Sequence, residues 1–232
     1  MKDLRKNTEL PLHEEVMLLA LRDQKGTIDS KAQFYPQIVA GAIISELLLS
    51  EYIEISNDKK QLVEVIKDTL TGNEILDEAL NKISEKRKPQ SLKYWVTFLP
   101  GIRNLKNKIA QSLCEKGILD EVEVKILWVF SSLRFPELDS SYEDKLIARL
   151  DNAIFGEASE IDVKTATLIA LLKKSPILSI PFDSKKLKAR KDRIEDIAGG
   201  SLVSEVAAEV IQTIQSVIFI TVVMPAVMVA VT

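Results

Sequence analysis

Arg103, Lys106 and Lys108 lie in a stretch, residues 91–119, that reads SLKYWVTFLPGIRNLKNKIAQSLCEKGIL. Ile102, Leu105, Ile109 and Leu113 recur there at intervals of three and four, which builds one buried helix stripe. The three cations fall off that stripe. Lys93, Arg103, Lys106, Lys108 and Lys116 oppose only Glu115, a local charge of +4 in a chain of formal net charge −3. A positive face on an acidic protein is a candidate docking surface for an anion. A solvated helix face has the same spacing, so both readings stay open at this point.

Residues suited to catalysis are scarce. The chain has one histidine, His13, and one cysteine, Cys114. A Ser-His-Asp triad or a histidine-rich zinc site therefore lacks raw material beyond His13, and no intramolecular disulfide can form. Cys114 reads as a small core residue. His13 precedes Glu14 and Glu15 at a helix start and is expected at the surface. Glu14, Glu15 and Glu46 are explained by helix-start and pairing chemistry rather than as an acid–base set. With no glycine-rich phosphate loop and no metal-ligand cluster, the expectation is no enzyme, no metal and no cofactor. Overall acidity and the absence of a recognition motif argue against nucleic acid.

These residues need elements to hold them. At 232 residues, with 46% hydrophobic and 28% charged residues, the chain can bury a core without staples. Eight Gly and eight Pro favour long helices over a turn-rich β fold. The first residues, MKDLRKNTEL, carry no apolar signal core; residues 1–8 read as a flexible terminus and 9–232 as one domain. Residues 12–21 form an apolar-faced helix ending in a turn at Gly26, and a loop with Lys31, Phe34 and Tyr35 follows. Residues 37–49 are apolar almost all round, so this helix is central; Glu46 within it needs a basic partner or a capping amide.

Beyond the central helix, residues 51–56 alternate as a short strand, residues 61–70 read as strand then helix, and 74–86 as an amphipathic helix. Pro100-Gly101 splits the basic stretch into two helices, and Gly117 stops the second. Residues 122–130 and 133–138 read as a β-hairpin turning at Ser131-Ser132 and apolar on both faces, which requires a cover such as another subunit. Helices are expected over 142–155, 163–174 and 185–197. Residues 217–232 carry no charge and contain Pro225; they are short for a bilayer span of about 20 residues and read as an apolar C-terminal core helix, with a tail anchor or membrane-lying segment as the alternative. The fold class is mostly α: a compact helical bundle around a buried central helix, with a protruding β-hairpin.

Four stretches, in order, resemble the Golgi phosphoprotein 3 family: LHEEVMLLAL at 12–21 with Asp23 and Gly26, Ala40-Gly41 to Glu46-Leu47 with Leu49 and Ile53-Glu54, LCEKGIL at 113–119, and DVKTATLIALL at 162–172. The resemblance spans residues 9–217. It implies a compact, mostly helical, peripheral membrane protein that binds phosphatidylinositol 4-phosphate. In that family two arginines three apart hold the headgroup, and they match Arg103 and Lys106. A lysine supplies a point charge where arginine supplies a fork. A family tryptophan and a further arginine fall on Lys31, which keeps the charge without the ring, and on Ala40, which keeps neither. Phe34 and Tyr35 are then the aromatic candidates for membrane contact.

The resemblance also implies self-assembly through the hairpin, with Val124, Ile126, Trp128 and Phe130 as its apolar residues, hence a homo-oligomer. Cytoplasmic tails of Golgi membrane proteins are implied as partners, and an anionic phosphoinositide as ligand. The implied location is cytoplasmic and peripheral to membrane, at the Golgi in a eukaryote. The alternative is a divergent member without phosphoinositide specificity, acting as a generic anionic-surface binder or an oligomeric scaffold.

Overall fold

A computed structural model describes residues 9–22, 24–32, 34–126 and 130–218. The chain starts with α1 (Leu12–Ala20), every residue of which is buried, including His13, Glu14 and Glu15. Two short strands, β1 (Leu21–Arg22) and β2 (Thr27–Ile28), pair antiparallel across a tight turn. Gly26 in that turn has φ +57°, and its carbonyl accepts from the Phe135 amide at 2.9 Å. A Cβ there would sit 2.3 Å from backbone atoms of Phe135 and Pro136. Gly26→Ala is therefore expected to cost about 2 kcal/mol, from positive φ and displaced backbone together, read as a lowered urea midpoint.

The central helix, α2 (Tyr35–Leu49), begins two residues earlier than the apolar run, with Pro36 in its first turn. Ile38, Val39, Ala40, Ala42, Ile43, Ile44 and Leu47 on it are all buried. Glu46 finds a capping amide: its Oε2 accepts from the Leu12 N–H at 2.8 Å, so α2 caps the start of α1. Next come β3 (Ile53–Ile55) and β4 (Leu62–Val65), and β5 (Gln90–Ser91) joins β4 to complete a three-stranded antiparallel sheet. The expected helix after β4 does not form. Ile66 and Leu70 are exposed there, so no apolar face is buried to stabilise one.

Helix α3 (Glu74–Ser84) is capped by Asn73, whose side chain accepts from the Ile75 and Leu76 amides, and buries Ile75, Leu76, Leu80 and Ile83. The basic stretch divides where proline and glycine require: α4 (Leu92–Phe98), a 3-10 turn (Leu99–Gly101), then α5 (Leu105–Glu115). Ile102, Leu105, Ile109 and Leu113 are buried, and Gly117, at φ +73°, follows the helix end.

The hairpin is formed by β6 (Val122–Ile126) and β7 (Phe130–Arg134). Its turn is not at Ser131-Ser132. Those serines lie inside β7, opposite Lys125 and Val124, while Ile126 pairs with Phe130. One face thus carries Val122 and Val124 with Ser132 and Arg134, and the other carries Glu123 and Lys125 with Ser131 and Leu133. The expected second apolar face rested on Leu127 and Val129, which with Trp128 lie outside the described residues.

Helices α6 (Ser141–Phe155) and α7 (Val163–Leu172) follow; Asp162 caps α7 by accepting from the Thr165 amide at 2.8 Å. A 3-10 turn (Pro176–Ser179) leads to α8 (Ser184–Ala189) and α9 (Lys191–Ala198). Those two were expected as one helix. Arg190 breaks it at φ −103°, ψ 17°, and its guanidinium donates to the Phe155 carbonyl at the end of α6 at 2.7 Å. Last is α10 (Glu205–Ile218), packed on α7 and α2. The expected apolar C-terminal helix falls mainly on residues 219–232, outside the described part. Among the described residues no helix is long and apolar enough to cross a membrane. The fold is mostly α, and its buried side chains form one cluster from Leu10 to Ile211.

The buried charges on α1 are matched from distant elements. Glu14 accepts from Lys116 Nζ at 2.6 Å and from the Ser112 hydroxyl at 2.8 Å. Glu15 pairs with Arg149 at 2.8 Å, and burial raises its carboxyl above the usual range. The surface expectation for His13 is overturned. It is fully buried, and desolvation, with the charges of Lys116 and Lys164, lowers its pKa to about 3. The helix-start reading failed because α2, α5, α6 and α7 all pack on α1, leaving no solvent side.

Candidate anion-binding site

Two helix starts meet at one cleft. It holds about 440 Å³ and is lined by Tyr35, Pro36 and Val39 of α2, and by Pro100, Ile102, Asn104, Leu105, Lys106 and Asn107. Pro100 and Gly101 end the preceding turn, and Asn104, at φ +56°, swings the chain into α5. In that left-handed conformation the Asn104 side chain makes no capping hydrogen bond, and the first turn of α5 carries no acid. Helix α2 likewise has no side-chain cap at Phe34 and no acid in its first turn.

The first amide of each helix is already used, Tyr35 N–H donating to the Ala32 carbonyl and Leu105 N–H to the Ile102 carbonyl, both at 3.1 Å, and Pro36 has no N–H. Helix α2 therefore offers chiefly the positive end of its dipole, and the uncapped first turn of α5 is the start that favours an anion. Lys106 adds a full charge at the same place and is exposed. Buried Leu105 and Ile109 fix the helix beneath it. Arg103 is exposed in the connector just before α5 rather than on the helix; its neighbours Ile102 and Asn104 line the cleft, and Arg103 itself does not. Among the described residues neither Arg103 nor Lys106 is held in an ion pair.

The other expected site residues are placed differently. Lys31 Nζ donates to the Ser179 carbonyl at 2.8 Å, which commits it to the Pro176–Ser179 turn. Phe34 is half-buried against the core. Tyr35 is buried, with its hydroxyl 3.4 Å from Met17 Sδ, and desolvation raises its phenol well above the usual range. It forms part of the cleft wall and presents no exposed ring. Ala40 is fully buried.

Two of the five cations in the basic stretch are spent on structure. Lys108 bonds Glu78 and lies 3.8 Å from Glu74, which raise its pKa through the Glu78 hydrogen bond first. Lys116 serves Glu14. Burial and nearby Glu121, Asp120 and Glu115 push the Cys114 thiol up to about 11, away from thiolate chemistry.

Sequence reasoning missed Asn104 and Asn107, although an asparagine such as Asn104 within the start of the stripe, just before Leu105, is a helix-start signal. It also missed Phe98. This ring is 38% exposed on the approach to Pro100, stacked on Tyr94 at 5.4 Å, with Lys86 Nζ 5.3 Å from both ring centroids.

A mostly helical protein whose positive cleft sits at two helix starts is the class that fold and site define. Within it, this chain belongs to the Golgi phosphoprotein 3 family: the family model described as Golgi phosphoprotein 3 (GPP34) matches residues 12–214. The chain is also similar to vacuolar protein sorting-associated protein 74 of Eremothecium gossypii, at 28% identity over 63% of this chain and 50% of that relative. It thus spans about half the length of the relative it matches.

Proposed function

We propose that this is a peripheral membrane-binding protein whose cleft takes the phosphorylated headgroup of a phosphoinositide of the phosphatidylinositol 4-phosphate type. The observation carrying this is the meeting of two helix starts at a cleft lined by Lys106, with Arg103 exposed in the adjoining connector. A phosphate monoester accepts several charge-assisted hydrogen bonds at once; the first turn of α5 and Lys106 supply them at the cleft, and Arg103 is the cation nearest in sequence. Membership of the Golgi phosphoprotein 3 family supports a place at the cytoplasmic face of Golgi-related membrane. The relative's name, a vacuolar protein sorting protein, agrees with a role in membrane traffic.

Phe98, exposed next to the cleft corner, suits contact with the lipid surface better than buried Tyr35. Self-association is assigned to the hairpin, with Val124, Ile126, Trp128 and Phe130 as its apolar residues; exposed Val122 on the same face as Val124 supports this reading. Cytoplasmic tails of membrane proteins remain the proposed protein partners, and residues 9–232 are read as one domain.

A second reading is a family member that binds anionic surfaces without headgroup preference. It is favoured by Lys31, turned to Ser179, and by the small buried Ala40, which together remove two family contacts. Vesicle retention tests the proposal. Vesicles of phosphatidylcholine with phosphatidylinositol 4-phosphate should retain the protein, and R103A/K106A should lower retention roughly tenfold or more. Unchanged retention of that exposed double variant would sink the assignment of the cleft.

A further inference from the structure

A second basic cleft takes no part in the headgroup reading. It lies where the end of α7 and the Pro176–Ser179 turn face α8 and α9, and encloses about 210 Å³. Lys173, Lys174, Lys188 and Lys191 line it, with Ser179 and a single acid, Glu195. That acid is already engaged. Glu195 accepts from Lys173 at 2.8 Å and from Lys174 at 3.4 Å, and the Lys173 hydrogen bond holds its carboxyl below the usual range. The Lys173 side chain is only 11% exposed, so this pair makes the inner wall.

Lys188 and Lys191 stand exposed at the mouth and, among the described residues, hold no ion pair. A fifth lysine reaches the rim: Lys31 Nζ rests on the Ser179 carbonyl at 2.8 Å. Five ammonium groups around one satisfied carboxylate leave a strong positive potential in a concave site, where field lines are focused. Lysines act as point-charge donors, which suits the several oxygens of a phosphate group without demanding a planar partner.

We propose that this cleft is a second anion site, taking a phosphomonoester or pyrophosphate group and binding independently of the cleft at α2 and α5. The ligand is defined by its phosphate chemistry; a lipid headgroup and a soluble phosphate ester both present it. Lys188 and Lys191 supply the contacts at the mouth, and Lys174 is drawn from Glu195 toward the bound oxygens.

The test is an amide NMR titration of the full chain with inorganic pyrophosphate at constant ionic strength. Saturable shifts are expected in residues 173–179 and 187–195. K188A/K191A should weaken them roughly tenfold or more, whereas R103A/K106A should leave them intact. Both pairs are exposed, so each variant should keep the wild-type melting temperature. Absence of saturable shifts in those residues, or equal affinity in K188A/K191A, overturns the proposal.

Retention on phosphatidylcholine vesicles with phosphatidylinositol 4-phosphate then separates the sources. Weaker retention of K188A/K191A assigns the phosphate to a lipid. Unchanged retention with pyrophosphate still bound assigns it to a soluble ester. Loss of the R103A/K106A effect alone would count against the headgroup cleft and not against this one.

Discussion

Lys116→Ala is expected to destabilise the protein by about 3–5 kcal/mol, because it strands a charge that cannot reach water. Glu14 is fully buried in α1 and depends on Lys116 and Ser112 for its partners. With the ammonium gone, one serine hydroxyl is left to a buried carboxylate, and the charge must be neutralised or exposed. Replacing both residues with methionine should recover most of the loss, since two apolar side chains of similar volume need no partner. Urea denaturation measures both. A single variant within about 1 kcal/mol of wild type would mean that Glu14 is solvated by some other route.

Acid sensitivity gives the second large effect, and His13 is its source. Its folded pKa is about 3 against an ordinary 6.5, so between those values the unfolded chain binds a proton that the native one refuses. Stability is therefore whole above about pH 6.5 and falls as pH drops, by about 1.4 kcal/mol per unit, or roughly 3 kcal/mol by pH 4. Neither imidazole nitrogen has a hydrogen-bond partner among the described residues. His13→Leu should thus be close to neutral at pH 7 while removing this share of the acid slope. Denaturation midpoints of both proteins at pH 7 and pH 4.5 compare the slopes; equal slopes would show that His13 is protonated in the folded state.

These two effects mark where sequence reading stopped. The stripe of Ile102, Leu105, Ile109 and Leu113 was legible because period alone fixes which side of a helix is buried. The break at Pro100-Gly101 and the need of Glu46 for a partner were legible for similarly local reasons. What covers the remaining faces of α1 was not. Glu14 meets Lys116, and Glu15 meets Arg149, across more than a hundred intervening residues, and no spacing rule carries that information.

The same limit applies to the cations. Lys108 and Lys106 look alike in sequence, yet Lys108 is consumed by Glu78 on α3 while Lys106 stays at the cleft. Ser131-Ser132 imitated a turn because polar small residues suit one, but the register places them in the ladder. The convergence of two helix starts, on which the functional reading rests, joins segments about seventy residues apart and appears only in three dimensions.

Headgroup selectivity is the most direct test of that reading. Flotation should be measured on phosphatidylcholine vesicles carrying phosphatidylinositol 4-phosphate, unphosphorylated phosphatidylinositol or phosphatidylserine, at matched surface charge and two salt concentrations. Recognition at the cleft predicts retention by the phosphorylated lipid that exceeds the other two and largely survives added salt. Equal retention by all anionic vesicles, lost together as salt rises, would contradict it.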